Sequence, residues 1–238
     1  MAADPITPPI RGVLFDVDGT LYHAWPMRIR LALALLALPF FGWRKARRTW
    51  RCIKCYRTAL EEIRHAQPDG EAVGLAHLRR AADLAGEDVD AIKSTIEEWV
   101  MRRPLRYLRR CRRKGLLEFL DDLRRRNIQI GFFSDYPAAA KLAALEVDGY
   151  ASICLSAGDP EINAFKPWPQ GFLRASKLFA LSCEEVLYIG DRPNVDAVGA
   201  TNAGMRCAIL GRGTSSRQSA YLAVTGFADL GSLWQDLS

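Results

Sequence analysis

Apolar and polar positions follow two different rhythms along this chain. In the second half, short apolar runs take turns with amphipathic stretches. Residues 116–126 place Leu116, Leu117, Leu120 and Leu123 on one helical face, and 128–133 form a compact apolar run. The alternation continues with a helix over 138–145, a strand over 151–155, a helix over 171–180 and a strand over 186–189. A helix over 196–203 and a strand over 207–210 complete it. Strands alternating with helices require right-handed crossovers, and the result is a parallel sheet covered on both faces. One further apolar run, residues 13–15, lies far upstream and must join the same sheet.

Between that first strand and the rest, the pattern is helical throughout. Residues 29–41 are rich in Leu and Ala and are broken at Pro39. Residues 44–64 carry Trp50, Ile53, Tyr56, Leu60 and Ile63 close to a 3.6-residue period. Gln67-Pro68-Asp69-Gly70 reads as a turn. A third helix spans 71–85 and ends at Gly86, and a fourth runs from about Asp90 to Trp99. Nothing there alternates as a strand does. The helical unit, residues 22–115, is therefore an insertion into a core formed by 1–21 and 116–238.

Charge sharpens this division. The chain's 238 residues carry a net +6, but 22–115 hold 21 Lys/Arg against 10 Asp/Glu, a net of +11, and the remainder is −5. Such asymmetry suggests two units with different jobs. No apolar run reaches the ~18–20 residues that span a bilayer. Residues 1–9 are polar and proline-rich, without the basic-then-apolar order of a signal peptide. The six scattered cysteines then read as reduced thiols, and the expectation is a cytoplasmic protein. Cys52 and Cys55 have the spacing of half a zinc site but no second pair, so they read as small apolar residues on one helix face.

The candidate chemistry sits at the strand ends. The first apolar run ends abruptly in Asp16-Val17-Asp18-Gly19-Thr20. Two crowded, buried carboxylates repel each other and lose water unless a cation or a proton sits between them. In an α/β sheet, ligands bind at the carboxyl ends of the strands. The other strand ends add Ser134 and Asp135, then Gly190-Asp191 with Asp196, and Lys166 lies in a loop leading to a helix. Carboxylates in an open cleft suit Mg²⁺. A hydroxyl, backbone amides and a lysine suit phosphoryl oxygens, and a spare carboxylate suits a nucleophile. Metal-assisted phosphoryl transfer is the chemistry these residues point to.

In this order the segments resemble the four motifs of the haloacid dehalogenase superfamily. Asp16-Val17-Asp18-Gly19-Thr20 is similar to the first motif, Ser134 to the second, Lys166 to the third, and Gly190-Asp191 with Asp196 to the fourth. The stretch 199–205 is typical of the helix that follows. The resemblance covers 11–22 and 116–210 and implies a Rossmann-like α/β core with an inserted all-helical cap domain. It further implies that Asp16 attacks phosphorus and that Asp18 shuttles the proton. Mg²⁺ would be held by Asp16, the backbone carbonyl of Asp18 and Asp191, with Asp196 orienting or completing the metal shell. Thr20, Ser134 and Lys166 would surround the phosphoryl oxygens, Thr20 also fixing the loop. Dehalogenases of the superfamily lack an acid at the position of Asp18, so its presence favours phosphate chemistry. Asp135 stands where many relatives carry Asn.

The expected activity is Mg²⁺-dependent hydrolysis of a small phosphorylated metabolite through an aspartyl-phosphate. A phosphotransferase or sugar-phosphate mutase on the same scaffold is the alternative. A non-catalytic protein that binds nucleic acid or an anionic membrane through its basic insertion is the alternative of another class. Residues 102–114 hold eight Arg/Lys, which read as a solvated connector, as a funnel for an anionic ester, or as such a binding face. The stretch 29–41 with Trp43 and the cations after it resembles an interfacial element, but its nearly uniform apolar character favours a buried cap helix or a dimer contact. His23 and Trp25 are placed to line the cleft.

Overall fold

A computed structural model of the protein describes residues 9–36, 42–66, 70–211 and 221–230. Its centre is a sheet of six strands: β1 (Gly12–Phe15), β2 (Gln129–Ser134), β3 (Ile153–Ser156), β4 (Val186–Gly190), β5 (Arg206–Leu210) and β6 (Leu222–Val224). The strands lie in the order β3-β2-β1-β4-β5-β6, and every pairing is parallel. In the central strand Phe15 sits opposite Phe132 on one side and Ile189 on the other. From β1 the chain leads outward to β2 and β3, and from β4 it leads the opposite way to β5 and β6. The point where the order reverses is the crevice at the carboxyl ends of β1 and β4.

Period-two alternation sorts the strand side chains to two buried faces. Val13, Phe15, Phe132, Leu187 and Ile189 go to one, and Leu14, Phe133, Val186 and Tyr188 to the other. On the first face Phe15 packs against Phe132, Phe227 and Phe119 of α6 (Leu116–Arg125). On the second, Phe172 of α8 (Gln170–Phe179) meets the edge of Phe133 and packs on Tyr188. α7 (Ala139–Ala144) follows β2, and α9 (Val198–Asn202) follows β4.

Between β1 and β2 lie α1 (Ala24–Leu36), α2 (Trp43–His65), α3 (Val73–Ala85), α4 (Val89–Ile96) and α5 (Arg103–Cys111). Cys52, Ile53, Tyr56, Ala81, Ile92 and Trp99 form a separate apolar core there. Cys52 is thus a packing residue, and Cys55 stands one turn on, both as free thiols. The two linkers to the sheet run side by side. Tyr22 and Arg112 form an antiparallel bridge, His23 N–H donates to Cys111 O at 2.8 Å and Arg113 N–H to Leu21 O at 2.9 Å. Among the described residues no helix is long and apolar enough to cross a membrane.

Several expectations change. The helix expected to end at Trp99 continues through wide π turns over Glu97–Arg102 into α5. Pro104 hides this continuation, because a proline interior to a regular helix removes one hydrogen bond and clashes with the preceding turn. The basic run is therefore helical as far as Cys111, and part of it is paired. Arg102 and Arg103 meet Glu98, and Arg109 and Arg112 meet Glu146. α1 begins at Ala24, since Pro26 falls in its first turn, where no donor is needed. It is not a buried helix: Trp25 is 70 % exposed and Leu33 60 %. Trp50 also faces outward, while Ile53, Tyr56, Leu60 and Ile63 are buried. Residues 37–41, and 67–69 of the expected turn, lie outside the described residues. β6 was not expected, because a strand of three residues at a sheet edge, two half-buried and one buried, leaves no readable alternation.

Candidate active site

Asp16 is the first residue after β1, and its N–H donates to Ile189 O at 2.9 Å, which ties it to β4. Its carboxylate is buried and held at both oxygens. Lys166 Nζ donates to Oδ1 at 2.6 Å and Thr20 Oγ1 to Oδ2 at 2.8 Å. The same ammonium donates to Asp196 Oδ1 at 2.8 Å and Tyr188 OH at 3.0 Å, so its three donors are all engaged. Asp196 Oδ1 also accepts from the Tyr188 hydroxyl, and its Oδ2 accepts from the N–H groups of Asp191 and Arg192. Each oxygen of Asp196 thus takes two hydrogen bonds and orients the turn after β4, which suits the orienting part of its expected role.

Asp191 completes the acidic group. Carboxylate oxygens of Asp16, Asp191 and Asp196 lie within 4.8 Å of one another. Asp191 Oδ1 is buried and has no hydrogen-bond partner. Burial raises Asp16 well above the usual carboxylate range, with Lys166 opposing and Asp196 and Asp191 adding to the rise. Burial and the charge of Asp196 push Asp191 up to about 6. Burial also acts on Asp196, but Lys166, the Arg192 N–H and the Tyr188 hydroxyl hold it below its ordinary value. One lysine for three crowded carboxylates, one of them with an orphaned oxygen, leaves a place that fits a hard divalent cation.

Asp18 faces the same crevice with different company. Lys141 Nζ donates to its Oδ1 at 2.8 Å and its Oδ2 at 2.5 Å. Ser134 Oγ, at the end of β2, donates to Oδ2 at 3.3 Å, and the Tyr22 hydroxyl donates to Oδ1. Burial pushes Asp18 up, but Lys141 and Tyr22 outweigh it and keep the carboxyl below its ordinary value. The two acids are therefore biased in opposite directions, burial favouring the protonated form of Asp16 and Lys141 with Tyr22 the charged form of Asp18. Asp135 accepts from Lys166 N–H at 3.1 Å and pairs with the buried Arg64 of α2. An asparagine there would leave Arg64 without that carboxylate, which accounts for the acid at this position.

The loop that carries both acids depends on Gly19. Its φ is +103°, and a Cβ would fall 2.2 Å from Asp191 Oδ2. Arg113 grips its carbonyl oxygen with two N–H groups, at 2.8 and 3.1 Å. Gly19→Ala is expected to destabilise the protein by about 1–3 kcal/mol, read as a lower midpoint of thermal unfolding.

Together these groups line a cavity of about 340 Å³, with Met27, Arg28, Tyr56, Arg57, Leu60 and Arg64 on the side of the inserted helices. Asp16, Asp18, Ser134, Lys166, Asp191 and Asp196 all border it. Thr20, expected beside the substrate phosphate, does not; its hydroxyl is fully buried and spent on Asp16. His23 and Trp25 do not line the cavity either; His23 precedes α1, and the phase of α1 turns Ala24, Met27 and Arg28 rather than Trp25 towards it. Lys141, Tyr22, Arg64 and Tyr188 are site residues that sequence reasoning missed. For Lys141 a signal existed: it shares the apolar face of its helix with Ala138, Leu142 and Leu145, a buried place for a cation.

The family description "haloacid dehalogenase-like hydrolase" matches residues 10–204. A phosphoglycolate phosphatase from Photorhabdus laumondii subsp. laumondii is 31 % identical over 119 residues, 47 % of this chain and 50 % of that protein. The chain thus spans half the length of that relative. A 2-haloacid dehalogenase from Pseudomonas syringae pv. Tomato DC3000 has a TM-score of 0.66 at 20 % identity, covering 96 % of this chain and 100 % of that one. A HAD phosphatase from Thermococcus onnurineus has a TM-score of 0.62 at 20 % identity, covering 94 % and 97 %. Identities this low speak for the shared fold alone, and these two proteins bear different activities in their names. The family match takes in β1, the whole helical insertion, β2 through β4 and all the acids of the crevice, and it places this chain among the haloacid dehalogenase-like hydrolases.

Proposed function

We propose that the protein is a Mg²⁺-dependent phosphatase acting on a small phosphate monoester through an aspartyl-phosphate on Asp16. The observation that carries this reading is Asp18, a second carboxylate facing the same cavity as Asp16 and held by Lys141, Ser134 and Tyr22. Displacing a halide from carbon needs no proton donor, whereas expelling an alkoxide from phosphorus does. The relative named for phosphoglycolate hydrolysis supports a phosphate ester as substrate.

Asp16, Asp191 and the backbone carbonyl of Asp18 would hold the ion, which supplies positive charge to the phosphoryl oxygens. Lys166 and Thr20 fix the two oxygens of Asp16, so the nucleophile presents one orientation. Asp16 attacks phosphorus; Asp18, which must first take up a proton against the hold of Lys141 and Tyr22, gives it to the departing oxygen as that bond breaks. Asp18, now a carboxylate, takes a proton from the water that attacks the phosphorus of the acyl phosphate, and Asp16 departs. Ser134 is placed beside Asp18 to meet a phosphoryl oxygen.

The test is release of inorganic phosphate from 4-nitrophenyl phosphate with Mg²⁺ present. Chelation with EDTA should stop it, and Asp18→Asn should slow it by about 10²–10⁴-fold. Chloride release from 2-chloropropionate, without phosphate release from any ester, would overturn the proposal in favour of dehalogenation.

A further inference from the structure

The cavity wall contains six cationic side chains, and four of them face carboxylates. Lys166 meets Asp16 and Asp196, Lys141 meets Asp18, Arg64 meets Asp135 and Glu61, and Arg192 meets Glu61. The other two, Arg28 of α1 and Arg57 of α2, border the same cavity, and among the described residues neither forms an ion pair. Loss of water and the like charge of Arg28 both pull Arg57 below its ordinary value. Both arginines are exposed at the cavity wall, and two like charges there without a counterion favour an anion from outside. The phosphoryl group does not fill that need, since its own partners stand at the strand ends with Asp16. The apolar Met27 and Leu60 share the wall with the two arginines, which suits a short carbon skeleton between two charged ends.

We infer that the substrate is a small phosphate ester bearing a second anionic group, a carboxylate or a second phosphate, which Arg28 and Arg57 bind while its phosphoryl group meets Asp16. This rests on the phosphatase reading and narrows it. Guanidinium groups suit both anions because they present paired N–H donors to either.

The experiment compares kcat/KM for three esters of two-carbon alcohols: 2-phosphoglycolate, ethylene glycol bisphosphate and ethyl phosphate. In the wild type, phosphoglycolate or the bisphosphate is expected to exceed ethyl phosphate by about 10–100-fold. Whichever is preferred identifies the second anion. In the double variant Arg28→Met/Arg57→Met the preference should fall to about one. Each preference is a ratio within one protein, so a change in folded fraction cancels. Equal kcat/KM for all three esters in the wild type, or an undiminished preference in the double variant, would overturn the inference. Turnover of 4-nitrophenyl phosphate without any preference sinks this inference alone. Inertness of the wild type towards every ester, 4-nitrophenyl phosphate included, sinks the phosphatase reading and this inference with it.

Discussion

Replacing Asp16 with Asn abolishes phosphate-ester turnover and leaves the protein folded. The amide keeps the shape of the carboxylate, and its oxygen can still accept from Lys166, which now sits 2.6 Å from Asp16 Oδ1. It is no nucleophile towards phosphorus, so the acyl phosphate does not form. A loss of at least about a thousandfold is expected, as for other residues that carry the covalent step. Stability should move the other way or not at all. Asp16 is raised well above the usual carboxylate range, mainly by burial, so the folded state pays to keep it charged. Removing that charge yields an unfolding midpoint equal to or above that of the wild type, the pattern of a residue kept for activity at the expense of stability. Phosphate release and a thermal melt on the same preparation check both halves. Wild-type turnover by Asp16→Asn refutes the role of Asp16.

Lys166→Met is the second large effect, and it strikes stability first. Lys166 is buried, and its side chain joins Asp16, Asp196 and Tyr188. Removing the ammonium leaves two buried carboxylates without their shared counter-charge, a loss of about 3–5 kcal/mol at neutral pH without added metal. The pH dependence has a definite sign. Burial works against the charge of Lys166, but Asp16 and Asp196 lift it well above its ordinary value. Its stabilising contribution is therefore complete below the normal lysine range and is lost only as pH rises through its raised value. Without it, both carboxyls rise in the folded state and bind protons that the unfolded chain does not. The variant therefore regains stability relative to wild type as pH falls from 7 towards 5. Denaturant melts at pH 5 and 7 test this, and a gap that stays constant or widens on acidification would rule the coupling out.

The sheet was largely legible from sequence because both faces of its strands are buried. Apolar runs such as 13–15 and 186–189 cannot avoid showing themselves, and the strand-end acids are conspicuous against them. Hydrogen-bond partners drawn from other elements left weaker marks. Lys141 lies 123 residues from the carboxylate that it holds, and Arg64 lies 71 residues from Asp135. Only the folded crossovers bring them together. Helix phase was the other loss. Trp25 looked like a cleft residue because it follows the first motif closely, yet each helical residue turns about 100° from the last. That rotation carries Trp25 to the surface and Arg28 to the cavity. α5 and β6 were obscured for local reasons, a proline in one and three residues of length in the other.

The paired linkers at Tyr22 and Arg112 mean that the whole helical insertion leaves the sheet and returns to it at a single doorway. Both posts of that doorway reach into the acidic loop, Tyr22 through Asp18 and Arg113 through the carbonyl of Gly19. A chain with such a junction can exchange everything beyond it during descent while the strand order stays intact. The doorposts themselves are not exchangeable in this way. Selection on what the protein accepts and selection on how it reacts can then act on largely separate stretches of the gene, with residues 21–23 and 111–113 and the Arg64–Asp135 pair answerable to both.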